Sequence, residues 1–257
     1  MEVHKHPHNV THKKKWGEYL LEFFMIFFAV FLGFLAENIR EHFSEKETAK
    51  QYARSLIHDL EKDTMMVQVD IKQMKGIIST VDSVASFLRN KSIGDLNNRT
   101  LYYYTRFECD YRPYTWSRAT LDQIKSSGSL RYFGNDSIIM RISAYDAFTK
   151  HLDEDFNGDN ERNDKVSAKR DNIVNLNYPF ELFERVPGDS IPFLNNASKS
   201  KTDLPLLTTN MNEIRSLVND YLVIKNNYKV RGEGELPRLI DDASQLISML
   251  KSEYHLK

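Results

Sequence analysis

The stretch YLLEFFMIFFAVFLGFLAENI, Tyr19 to Ile39, decides how the rest of the chain is read. Its centre, Phe23 to Ala36, is fourteen residues with no polar side chain. With its flanking turns it reaches about 30 Å as a helix, the thickness of a bilayer's hydrocarbon core. It reads as a transmembrane helix over residues 16–39, preceded by a tail at 1–15 and followed by a helical domain over 40–257.

The flanks set the orientation. Lys13, Lys14 and Lys15 precede the span, whereas Glu37, Arg40, Glu41, Glu45 and Lys46 beyond it are mixed in sign. A lysine bias in a short N-terminal segment keeps that end in the cytoplasm. Trp16 and Tyr19 fall where amphipathic rings prefer to sit, at the inner interface. A cleaved secretory signal is the rival reading, but cleavage after Ala36 puts Phe34 where a small residue is required. The expected arrangement is therefore a single-pass membrane anchor with the N-terminus in the cytoplasm and the bulk of the chain outside it.

Polar and small residues within the span are the candidate contacts to membrane lipid or a partner. Glu18 and Glu22 are four residues apart and share a helix face. Glu22 either snorkels to the interface beside the lysine run or faces another transmembrane helix as a protonatable group. Ala29 and Gly33 form a small-xxx-small pair that allows close helix approach. Glu37 and Asn38 lie past the apolar boundary and are expected to be wet.

Beyond the span the chain reads as all-α. Lys plus Arg (35) nearly balances Asp plus Glu (36), so no global field draws the chain to nucleic acid. Seven prolines and ten glycines in 257 residues favour helices over a β-rich fold. Ala53, Ile57, Leu60, Thr64, Val67, Ile71, Met74, Ile78, Val81, Ala85 and Leu88 alternate spacings of four and three. That is a coiled-coil-like seam, and it predicts that the membrane helix continues as a stalk to about Asn90. Later segments provide partners for a helical bundle.

Thr115 is expected to cap a helix to Ser126, which Ser127-Gly128 then ends. Asn135 or Asp136 caps the next long helix, with Ile138, Ile139, Ile142, Tyr145, Phe148 and Leu152 inward. A proline-rich loop spans about 179–207. A terminal helical hairpin, 208–257, follows, capped by Thr208 or Thr209 and turning at Arg231-Gly232-Glu233-Gly234, with Pro237 in the first turn of its last helix.

The signals for chemistry are sparse. His4, His6, His8 and His12 sit in a structureless basic tail that holds no metal geometry. Cys109, the single cysteine, has no neighbouring group to activate it. Asp153, Asp155, Asn157, Gly158 and Asp159 resemble a calcium loop, but position twelve is Asp164 and position eight is Asn160. The aromatic run 102–116 lacks the basic groove of a nucleic-acid platform, and core packing is the stronger reading over a carbohydrate or peptide site. No phosphate loop, HExxH, GxSxG or cysteine pair occurs. Neither a cofactor nor catalysis is expected.

Gly17-Glu18, the apolar run with Gly33 and Ala36, and then Asn38 before a charged helix form one recognisable pattern. Leu121-Asp-Gln-Ile-Lys-Ser-Ser-Gly-Ser-Leu130, followed by Asn135-Asp-Ser-Ile138, forms another. Together they resemble an uncharacterised family of single-pass, membrane-anchored helical proteins common in Bacteroidota. The resemblance implies that Thr64, Ser83, Ser137 and Ser190 stand in O-glycosylation tripeptides of that lineage. The function expected is a membrane-anchored scaffold or interaction protein, forming a homo-oligomer or binding another membrane protein. The alternatives are an accessory subunit of an ion-driven membrane complex using Glu22, and a sensor domain that signals through a partner.

Overall fold

The computed structural model describes residues 15–89, 112–175, 205–208 and 210–256. The histidine tail with Lys13 and Lys14, the aromatic run up to residue 111 with Cys109, and Ser190 with most of the 179–207 loop lie outside these residues. Among the described residues the fold is all-α. The one β-type pairing is an isolated antiparallel bridge between Val174 and Leu206.

Helix α1 runs from Trp16 to Arg89, as the absence of proline and the 3–4 spacing predict. Two compact units divide within it, Met1–Gln51 and Tyr52–Lys257. In the first unit the apolar residues from Leu20 to Ile39 are exposed, between 45% and 75% for the large ones.

The second unit contains α2 (Ala119–Ser126), a 3₁₀ turn (Ser129–Phe133), α3 (Asp136–Asp171), α4 (Met211–Val230) and α5 (Leu236–Tyr254). Gly128 ends α2 at φ 68°, a left-handed conformation glycine adopts without Cβ strain. Arg118, not Thr115, occupies the N-cap position of α2, and makes no side-chain capping bond. The Asn135 side chain caps α3 by accepting from Ser137 N, and Asn210 caps α4 by accepting from Asn212 N.

The expected C-terminal hairpin does not form. Val230 (φ −59°, ψ −46°), Arg231 (φ −63°, ψ −59°) and Leu236 (φ −66°, ψ −43°) all keep right-handed helical dihedrals. Residues Arg231–Glu235 make one π turn, in which Leu236 N donates to the carbonyl of Arg231 five residues back. One helix therefore extends from 211 to 254. The physical cause is Pro237, which has no N–H for the carbonyl four residues before it and would clash with that carbonyl in a regular helix. Widening by one residue relieves the clash, and a π turn is a common answer to such a defect. The two glycines that suggested a turn serve a different end. Gly232 is buried, and a Cβ there would already touch Met74 Cβ at 3.4 Å, so a side chain larger than a methyl group would press on α1.

Three long helices form the bundle. The 211–254 helix is antiparallel to α3, with Asn135 bonded to Glu253 (2.9 Å), Asn163 to Tyr228 (2.7 Å) and Lys169 to Ser216 (3.0 Å). It is antiparallel to α1 as well, since Lys251 meets Glu61 at 3.5 Å and Lys225 meets Asp82. Ile138, Ile142, Leu152, Leu217, Ile224, Leu239, Leu246 and Leu250 are buried at 2% exposure or less.

The seam of α1 is rotated from the expected one. Ala53, Ile57, Leu60, Val67, Met74, Val81 and Ala85 are buried as predicted, but Leu56, Asp63 and Asp70 are buried with them, while Thr64, Ile71 and Ile78 are only half-buried. Asp153 to Asp164 lies within α3, so the calcium-like spacing is helical and forms no loop.

Gly232→Leu is expected to lose about 1–3 kcal/mol by overpacking against Met74. Gly234→Ala, at a site with open space, is expected to gain about 0.5–1 kcal/mol. Denaturant melts of the two variants check both signs.

Candidate functional site

The first site is the exposed face of α1. Lys15, Trp16, Glu18, Tyr19, Glu22, Ala29, Gly33, Glu37 and Asn38 are all exposed. At 3.6 residues per turn, Glu18, Glu22, Ala29, Gly33 and Ala36 fall within an arc of about 60°. The phenylalanines lie on the other side, where Phe23 and Phe27 stack at 6.2 Å and Phe27 and Phe31 at 6.1 Å. Helix α1 thus has a narrow stripe of carboxylates and small residues opposite a bulky aromatic wall. Glu37 pairs with Arg40, whose Nε donates to its Oε2 at 2.9 Å. Gly33 has open space around it.

The second feature is a set of polar layers inside the bundle. Asp63, 3% exposed, accepts from Ser117 N at 2.7 Å and from the Tyr145 hydroxyl at 3.0 Å. Burial raises its pKa, and those two hydrogen bonds partly offset the rise. Next to it on α3, Asp146 meets Lys125 at 2.6 Å and Lys150 at 2.8 Å. Burial pushes Asp146 upward, but the two ammonium groups prevail and hold it below the usual carboxylate range. Asp153 accepts from Trp116 Nε1 at 2.8 Å and from Arg118 at 2.6 Å, which ties the segment before α2 onto α3.

Further along α3, Arg231 of the π turn is only 12% exposed in its side chain and reaches Glu235 (2.7 Å), Asp155 (3.0 Å) and Asp159 (3.6 Å). Asn227 donates to Asp159 at 2.9 Å. A π turn rotates its side chains away from the regular helical positions, and here it turns both Arg231 and Glu235 toward α3.

Asp70 is different. It is 4% exposed on the α1 seam, and burial raises its pKa to about 6, against a smaller lowering by Arg112.

The residues singled out on the apolar segment are exposed in the structure, and the buried polar residues were missed. Asp63 and Asp70 were readable as members of the series Leu56, Leu60, Asp63, Val67, Asp70, Met74, which keeps the 3–4 spacing if polar members are allowed. Of the modification candidates, Thr64 is half-buried and bonds the Leu60 carbonyl at 2.7 Å, and Ser83 bonds the Ser79 carbonyl at 3.0 Å. Ser137 is exposed in the first turn of α3.

No protein-family model, curated protein or solved structure matches the chain.

Protonation of Asp70 favours the folded state, because its folded pKa of about 6 exceeds the ordinary 3.8. That contribution is complete below pH 4 and is lost as pH rises through 6. Asp70→Asn is therefore expected to match the wild type near pH 4 and to exceed it by about 1–2 kcal/mol at pH 8. Urea titrations at the two pH values measure the difference.

Proposed function

We propose that this chain is a membrane-anchored scaffold or interaction protein without catalytic activity, with α1 crossing a bacterial inner membrane and the helical unit in the periplasm. One observation carries the reading: among the described residues, one helix is long and apolar enough to cross a membrane, and no protein surrounds that part of it. Side chains this apolar lose roughly 25 cal/mol for each Å² they leave in water, and lipid removes that penalty. The lysines on its N-terminal side support a cytoplasmic N-terminus. The resemblance to the Bacteroidota family points the same way.

The interaction surface in the membrane is the stripe of Ala29, Gly33 and Ala36, where a second helix can approach closely. Its partner is a second copy or another membrane protein. Within the bundle, the carboxylates of Asp63, Asp146 and Asp159 are engaged by hydroxyl, amide, ammonium and guanidinium groups, which suits a part that holds a shape.

A second reading, an accessory subunit of an ion-driven complex, is favoured by the position of Glu22 on the same stripe. The two readings separate at Glu22→Gln in a deletion strain. The scaffold reading expects full complementation and an unchanged co-extracted complex. Lost complementation with the complex intact supports the accessory subunit.

The topology has its own test. In a Cys109→Ser background, Ser244→Cys, on an exposed position of α5, is expected to react with a membrane-impermeant maleimide in intact spheroplasts. Reaction only after lysis contradicts a periplasmic bundle.

A further inference from the structure

On the outer side of the Arg231 layer, three side chains with metal-binding atoms converge from two helices. His151 Nε2 lies 3.1 Å from Asp155 Oδ2 and 3.8 Å from Glu235 Oε1. All three ligand atoms lie within 4.8 Å of one another. His151 and Asp155 are one turn apart on α3, and the π turn provides Glu235. We propose that His151, Asp155 and Glu235 form a binding site for a zinc-class divalent cation that clamps α3 to the π turn.

Four observations support it. The first is spacing. Bonds of about 2.0–2.2 Å in tetrahedral geometry separate neighbouring ligand atoms by about 3.3–3.6 Å. The two gaps from His151, 3.1 and 3.8 Å, bracket that value, and the third, between Asp155 and Glu235, is within 4.8 Å, so the cation draws the two carboxylates together by side-chain rotation.

The second is charge. Among the described residues, Asp155, Asp159 and Glu235 gather around the guanidinium of Arg231, so three carboxylates share one cation there. A divalent cation offsets that imbalance. Arg231 shares Asp155 Oδ2 at 3.0 Å and gives up that contact when the cation binds, while keeping Glu235 and Asp159.

The third is support from the surroundings. Arg231 Nη1 holds Glu235 Oε2 at 2.7 Å, which leaves Oε1 turned toward His151. Such outer contacts fix the orientation of a metal-ligating carboxylate. The His151 ring lies nearly parallel to Phe148, 16° between planes at 6.2 Å, and Phe148 is covered by Arg238 at 5.3 Å. The imidazole is therefore seated before any ion arrives.

The fourth is access and ligand type. The His151 side chain is 52% exposed, so an ion enters from solvent and water completes its shell. An imidazole with two carboxylates suits zinc and its transition-metal neighbours, whereas calcium and magnesium prefer oxygen ligands alone. The site owes nothing to the calcium-like spacing, and it stands apart from the membrane reading.

Thermal melts of the full-length protein in mild detergent, titrated with zinc chloride or magnesium chloride, test it. Zinc is expected to raise the midpoint in proportion to the logarithm of its concentration, and magnesium to leave it unchanged. His151→Gln and Glu235→Gln are each expected to weaken the zinc effect at least about tenfold. The four tail histidines remain in both variants, so zinc bound there cannot mimic the difference. No zinc shift in the wild type, or an equal shift in wild type and His151→Gln, overturns the proposal.

Discussion

The chain is organised by an apolar helix segment that none of the other described residues covers. From Leu20 to Leu35 the large side chains of α1 keep nearly half or more of their surface open, and ten of the residues in that interval are phenylalanine or leucine. Water does not accommodate such a surface at this length. A bilayer does, because the helix satisfies every backbone group internally and its apolar side chains match the hydrocarbon. The segment has two contrasting sides, phenylalanines on one and Glu22, Ala29 and Gly33 on the other.

The second unit solves a different problem. Three long helices must keep one register, and apolar seams alone permit slippage by a turn. Buried polar pairs remove that freedom, since a shift of one turn would part Asp63 from Tyr145 and Asn163 from Tyr228. Such pairs contribute little net stability, because desolvation offsets most of their attraction. Their effect is on which packing is allowed. The π turn belongs to the same logic, for it lets α1 press on Gly232 while aiming Arg231 and Glu235 at α3.

Much of this was legible in the amino-acid sequence. The membrane-spanning candidate, the all-α class, the Asn135 cap, the Gly128 stop and the inward face at the start of α3 follow from periodicity and turn chemistry. What was not legible has a common cause. Patterns were scored on apolar residues, so the α1 seam was drawn through Thr64 and Ile71 in place of Asp63 and Asp70. The highly polar stretch 153–170 showed only an incomplete calcium-like spacing, although it buries Asp159 and Asn163 against Asn227, Arg231 and Tyr228, which are distant in sequence. At 231–237 the local signals conflict: two glycines and a proline spell a turn in isolation. Packing against α1 and α3 converts them to a widened helix, and no local rule registers that packing.

The central claim is that α1 crosses a membrane intact. Its most direct test is the mass of the protein that stays with membranes after alkaline carbonate extraction. The account predicts retention in the pellet at the full mass of the 257-residue chain. Release into the supernatant, or a membrane-free product shortened at its N-terminus, would contradict it.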